Sequence, residues 1–163
     1  MEKSKLIVLL DIDDTIFNTE KFKKSDFTQF ELYKDVQKAL EELSSIAMLG
    51  ILSQGELTFQ KRKLLETNIH HYFHESHTHI VDVKVEAFKK ILADYSGKGK
   101  ILFIEDRLKT LSQAKKTDPS IVAIWIQRGR YAHTQQTVPG FTPDYIISDL
   151  DELISIVKSF AQE

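Results

Sequence analysis

The sequence predicts a three-layer α/β domain, Rossmann-like, with a mostly parallel central sheet. Three observations carry that prediction. Short apolar runs of strand length recur along the chain: Leu6 to Leu10, Ile46 to Leu52, Ile101 to Ile104 and Ile121 to Ile126. Between them lie stretches whose apolar residues repeat at helical spacing. The runs also lack in–out alternation, which marks strands covered on both faces.

The elements follow in order. Leu6 to Leu10 is a buried strand, and a polar segment dotted with aromatics runs from Phe17 to Tyr33. Val36, Ala39, Leu40 and Leu43 repeat as one helix face, and "IAMLGIL" is the second strand. "SQGE" then reads as helix-start punctuation, with Ser53 and Gly55 at the break and Glu56 in the first turn. Leu57, Leu64, Leu65 and Ile69 belong to the helix that follows. Thr78 to Val83 is a weaker strand, and Val85, Phe88, Ile91, Leu92 and Tyr95 mark an amphipathic helix. After the loop "SGKGK" comes the strand "ILFI", then Leu108, Leu111 and Ala114 at helical spacing. "IVAIWI" is a strand, "RGRYAHTQQTVPGFTP" a long loop and "DYIIS" a last short strand. Ser148 with Asp151 three residues on resembles a capping box for the final helix, whose apolar face is Leu150, Leu153, Ile154, Val157 and Phe160.

The 163 residues suit one domain, 1–163, with no repeat, linker or low-complexity tract. Twenty-two basic residues stand against 24 acidic, so no basic excess points to nucleic acid. The absence of cysteine removes disulfides, thiolate metal sites and cysteine nucleophiles, and suits a cytoplasmic setting. The first apolar run is only five residues, too short for a signal peptide or a membrane span, so the expectation is a soluble chain.

The chemistry lies where strands end. In an open parallel sheet, ligands bind beyond the carboxyl ends of the strands. The first strand ends in Asp11-Ile12-Asp13-Asp14-Thr15, the second in Ser53-Gln54-Gly55 and a later one in Glu105-Asp106. Parallel strands bring these ends to one edge. Clustered carboxylates repel and need a cation, and hard oxygen ligands suit Mg²⁺. Asp14 alone reads as a cap for the following turn.

"LLDIDDT" resembles the first motif of the haloacid dehalogenase-like hydrolases, apolar residues followed by Asp-x-Asp-x-Thr. The resemblance covers nearly the whole chain. It implies a phosphomonoester hydrolase that needs Mg²⁺ and works through an aspartyl-phosphate. On that resemblance Asp11 is the nucleophile, Asp13 the general acid and then base, and Thr15 steadies the turn and Asp13. Ser53 in "GILSQG" matches the second motif and would hold a phosphoryl oxygen, helped by the backbone N–H of Gln54. Lys84 in "VDVKVEAF" matches the third and would offset the charge on Asp11 and the phosphoryl group. "LFIEDR" matches the fourth, so the implied metal ligands are Asp11, Asp13, Asp106 and Glu105, with Asp106 the leading acid of the pair. Some positions depart from the family pattern. The acid pair is Glu-Asp rather than Asp-Asp, Thr110 and Leu111 stand where a later acid falls in many relatives, and Asp14 stands where many have Gly.

About 40 residues separate Asp11 from Ser53 and about 30 separate Ser53 from Lys84, too few for an inserted cap domain. The site is therefore expected to be open to a phosphorylated substrate, small or macromolecular, or covered by a second copy of the chain. Phe17, Phe22, Phe27, Phe30 and Tyr33 are expected to pack as core beneath a small flap, as are Phe103 and Trp125 in the sheet. "HHYFHESHTH", which includes His70 and His79, reads as a polar loop, with zinc disfavoured for want of carboxylate partners. Arg128 and Arg130 read as a solvated loop, with substrate contact as the alternative. A catalytically weak binding module is the main rival to the enzyme. A receiver-type domain fits the strand order poorly, and a dehalogenase does not need Asp13.

Overall fold

In the computed structural model, which describes residues 5–163, the run Leu6–Leu10 forms β1. It pairs in parallel with β2 (Met48–Gln54) on one side and β4 (Lys100–Glu105) on the other. β3 (Thr78–Val81) lies outside β2, while β5 (Val122–Ile126) and β6 (Tyr145–Ile147) extend the sheet beyond β4. The order is β3-β2-β1-β4-β5-β6, every pair parallel. Successive strands step outward from β1 in one direction, and the chain then returns to place β4 on its other side. That reversal opens a crevice at the carboxyl ends of β1 and β4.

Side-chain parity along β1 divides the core in two. Leu6, Val8 and Leu10 point to a layer built by α2 (Val36–Ser44) and α6 (Leu150–Ala161). Ile7 and Leu9 point to the opposite layer of α4 (Lys84–Asp94) and α5 (Leu108–Thr117). β1 has almost no solvent exposure on either face, which is why its sequence shows no alternation. Among the described residues there is no cap domain, and no helix is long and apolar enough to cross a membrane. The flap between β1 and α2 carries a short helix, α1 (Thr19–Lys24). Phe17 and Phe22 are buried in the core there and Phe30 and Tyr33 pack against it, whereas Phe27 is 62% exposed.

Several local expectations shift. Helix α3 (Leu57–Glu66) is capped by Glu56, whose carboxylate accepts from the N–H groups of Thr58 and Phe59, so the acid is the cap and not a first-turn residue. Leu57 and Leu65 of α3 are exposed, and its buried side is Gln60, Lys63 and Leu64. The cap of α6 is Asp149, one residue later than expected, accepting from Glu152 N–H while Glu152 reaches back to Ser148 N–H. The histidine-rich stretch forms two short 3₁₀ turns leading into β3. His77 and His79 there contact the Tyr95 hydroxyl at 3.0 and 2.6 Å.

Arg128 is not solvated and does not line the pocket described below. It is buried and forms a bidentate pair with Asp35 at 3.0 and 2.6 Å. Asp35 also accepts from the N–H of Leu150, joining the start of α2 to the start of α6. Burial alone would push the Asp35 carboxyl up, but the Arg128 and Leu150 donors outweigh it and hold it below the usual range. Its contribution to stability is therefore complete at neutral pH and fades only as pH falls below that range. Asp35→Ala leaves a buried guanidinium unpaired and is expected to cost about 3–5 kcal/mol in urea unfolding at pH 7.

Candidate active site

Register and parity place the first two acids. Leu9 pairs with Phe103 and Leu10 with Ile104, and the Asp11 N–H extends the ladder to the Ile104 carbonyl at 3.1 Å. Asp11 therefore follows Ile7 and Leu9 onto the α4/α5 face, and Glu105 follows Ile101 and Phe103 to the same face one strand over. Lys84 opens α4 directly beneath them. Its ammonium donates to Asp11 Oδ1 at 2.7 Å and to Glu105 Oε2, with all three side chains buried.

Glu105 is fully engaged. Its other oxygen accepts from the N–H groups of Asp106 and Arg107 at 3.1 and 3.3 Å, closing the turn out of β4. The turn is held from behind as well, since the Asp106 carbonyl accepts from the Trp125 indole at 3.0 Å and from Gln135 at 2.8 Å. Gln135 also accepts from the Leu108 N–H at the start of α5, so the long loop after β5 fixes that helix to the site. Trp125 is thus a support for the site rather than core filling alone.

The Asp106 carboxylate, by contrast, has no hydrogen-bond donor among the described residues. Asp11, Glu105 and Asp106 each offer an oxygen within 4.8 Å of the others. Burial, then the neighbouring Glu105 charge, pushes the Asp11 carboxyl up to about 7, with Lys84 opposing. Burial and the Glu105 and Asp11 charges push Asp106 up further. Glu105 is held below its ordinary value because Lys84 and the backbone donors outweigh its burial. Lys84 is held protonated by the two carboxylates it bridges, against the effect of burial. Three buried carboxylates share one ammonium. The all-oxygen donor set and surplus negative charge fit a hard divalent cation.

Asp13 stands apart from that cluster. The chain bends out of β1 at Ile12 and then turns through Asp14, whose φ of 60° is a left-handed conformation that Asp tolerates. Between the two the Asp13 carboxylate meets α3: Oδ1 accepts from Lys63 at 2.6 Å and Oδ2 from Gln60 at 3.1 Å. Thr19 adds a long contact at 3.5 Å. Thr15 was expected to steady Asp13, but its hydroxyl is buried without a partner among the described residues. Lys63 and Gln60 escaped the sequence reading, although their three-residue spacing on one helix face was visible.

Asp11, Asp13, Asp14, Gln54, Lys84, Glu105 and Asp106 line one pocket of about 140 Å³, and Arg107, Thr110 and Tyr131 form its rim. Ser53 is wholly buried at the end of β2, where its Oγ accepts from Gln60 Nε2 at 2.8 Å. The Gln54 side chain accepts from the Lys84 N–H at 3.0 Å and so caps α4. Arg130 is exposed and outside the pocket.

Comparison with known proteins agrees with this geometry. A haloacid dehalogenase-like hydrolase from Burkholderia xenovorans superposes with a TM-score of 0.82 at 15% identity, covering 96% of this chain and 98% of that one. The fold is that of the haloacid dehalogenase-like hydrolases. A hydrolase of this type from Bacillus subtilis, solved with magnesium bound, gives a TM-score of 0.70 at 13% identity over 95% of this chain and 99% of its own. In sequence, the chain is 26% identical over 147 residues to a glyceraldehyde 3-phosphate phosphatase from Methanopyrus kandleri. The match takes in 84% of this chain and 61% of that relative's length. No family model matches the sequence.

The turn at Asp14 depends on its neighbour across the pocket. Gly129 has a φ of +69°, and a Cβ there would run into the Asp14 side chain. Gly129→Ala is expected to lose at least about 1–2 kcal/mol from the left-handed backbone alone. Guanidinium unfolding would measure the loss.

Proposed function

We propose that this chain is a Mg²⁺-dependent phosphomonoester hydrolase that forms an aspartyl-phosphate on Asp11. The observation that carries the reading is the buried cluster at the switch point, where Lys84 holds one oxygen of Asp11 and leaves the carboxylate facing a pocket rich in acids. The phosphatase named among its relatives supports it. The pocket, about 140 Å³, leaves room for a phosphoryl group beside these acids. A cytoplasmic setting completes the reading, in keeping with a chain that has no cysteine to oxidise.

Asp11, Asp106 and the backbone carbonyl of Asp13 would hold the cation, since Glu105 spends both oxygens on Lys84 and the backbone. When bound, Mg²⁺ supplies charge neutralisation and alignment for the phosphoryl oxygens. Asp11 attacks phosphorus through the oxygen that Lys84 does not hold, and the bond from phosphorus to the leaving oxygen breaks. Asp13 gives that oxygen a proton. Asp13, now a carboxylate, takes a proton from water as the water oxygen attacks phosphorus, and the bond to Asp11 breaks to release phosphate. Lys84 holds the Asp11 carboxylate in place through both steps, and the Ser53 hydroxyl donates to a phosphoryl oxygen.

Wild-type protein should hydrolyse p-nitrophenyl phosphate with Mg²⁺ and lose turnover with EDTA. Asp11→Asn should be inactive at any Mg²⁺ concentration. No turnover with any divalent metal would favour a binding module instead. Mg²⁺ should also raise the melting temperature of the wild type but not that of Asp106→Asn, as read by differential scanning fluorimetry.

A further inference from the structure

Helix α3 turns its polar side inward. Phe59 is 38% and Leu65 56% exposed, yet Gln60 and Lys63 are only 2% and 5% exposed. Burying an ammonium and an amide is costly unless each finds partners, and a helix needed only to cover the sheet would bury its leucines. The partners found are all at the site. Lys63 Nζ meets Asp13 Oδ1 at 2.6 Å and packs over the rings of Phe59 and Phe17 at 4.5 and 5.0 Å. Gln60 Nε2 lies between two acceptors, Asp13 Oδ2 at 3.1 Å and Ser53 Oγ at 2.8 Å.

The helix is built to bring these groups in. Gln60 and Lys63 are one turn apart on the same face. Gly55, with a φ of +153°, lets the Gln60 side chain pass, because a Cβ there would lie 3.0 Å from Gln60 Cγ. Both Asp13 oxygens are held by α3. The Ser53 oxygen accepts from Gln60, which leaves its own hydrogen uncommitted. Neither Gln60 nor Lys63 lines the pocket, so each acts through another residue.

We propose that Lys63 and Gln60 are positioning residues: Lys63 fixes the Asp13 carboxyl, and Gln60 ties it to the Ser53 hydroxyl in one rigid arrangement. The inference rests on the hydrolase reading above. Its consequence is specific to the leaving group. A poor leaving group needs the proton that a well-placed acid supplies, and a good one does not. General acids contribute about 10²–10⁴-fold where they are needed.

Phenyl phosphate and p-nitrophenyl phosphate are close in shape but differ widely in leaving-group quality. Lys63→Met should lower kcat for phenyl phosphate at least about tenfold more than for p-nitrophenyl phosphate, with KM for each little changed. Lys63→Arg should restore much of the difference, and Gln60→Leu should show the same bias. If Lys63→Met does not fold, by circular dichroism, the contrast is read from Gln60→Leu and Lys63→Arg against wild type. Equal losses on both esters, or no loss on either, would make α3 a structural support and overturn the inference while leaving the hydrolase intact. A wild type inactive on both esters would overturn the hydrolase reading, and this inference with it.

Discussion

The site depends on one buried ammonium. Lys84 joins the ends of β1 and β4 by taking one oxygen from Asp11 and one from Glu105. Two like charges on adjacent strand ends would otherwise push apart at the point where the sheet must stay closed. Replacing such a charge network with apolar residues is often neutral or stabilising, so its presence is weak evidence of stability design. Its retention at a strand end, beside an acid with no protein donor, is better explained by a ligand that the acids await.

Around that centre the loops are fixed from outside. Gln135 and Trp125 hold the Asp106 carbonyl from the side of the long loop and β5. On the opposite side, Arg128 pairs with Asp35 and stacks over Tyr33 at 4.4 Å, and Tyr33 donates its hydroxyl to Asp14 at 3.2 Å. Burial and the Asp14 charge together push the Tyr33 phenol well above its ordinary range, so it stays a donor. A chain of contacts thus runs from the start of α6, through Asp35 and Arg128, to the turn that presents Asp13. Precision at the site comes from groups that lie outside the pocket itself.

Much of this was legible in the sequence. Apolar runs of strand length, each ending in acids or a hydroxyl, gave the sheet and the edge where chemistry gathers, because strand burial and parallel topology leave direct marks on composition. Asp11, Lys84, Glu105 and Asp106 do converge on one pocket as the motif order implied. The misses share one cause. Leu57 and Leu65 were counted among the helix's apolar residues, and Gln60 and Lys63 were passed over, as fits a helix that buries its apolar side. That pattern fails where a helix lies against a charged site, since buried polar groups there are satisfied by residues distant in sequence: 47 and 50 positions separate Gln60 and Lys63 from Asp13. Arg128 was misread for the same reason, its partner lying 93 residues away.

The two acids of Asp-x-Asp show what the fold does with identical residues two positions apart. Asp11 continues the parity of β1 and so enters the α4/α5 layer, among Glu105, Asp106 and Lys84. Asp13 comes after the chain has bent out of line at Ile12 and is carried away from that cluster, against Lys63 and Gln60. Had the chain continued straight, parity would have put Asp13 on the same face as Asp11, adding a fourth carboxylate to a cluster with one ammonium. The bend at Ile12 separates them instead, giving one acid a buried site beside uncompensated charge and the other a half-exposed site with donors on both oxygens. Two carboxylates held in such unlike surroundings are equipped for unlike chemistry, and the bend at Ile12, which takes the chain out of the line of β1, is what makes the division.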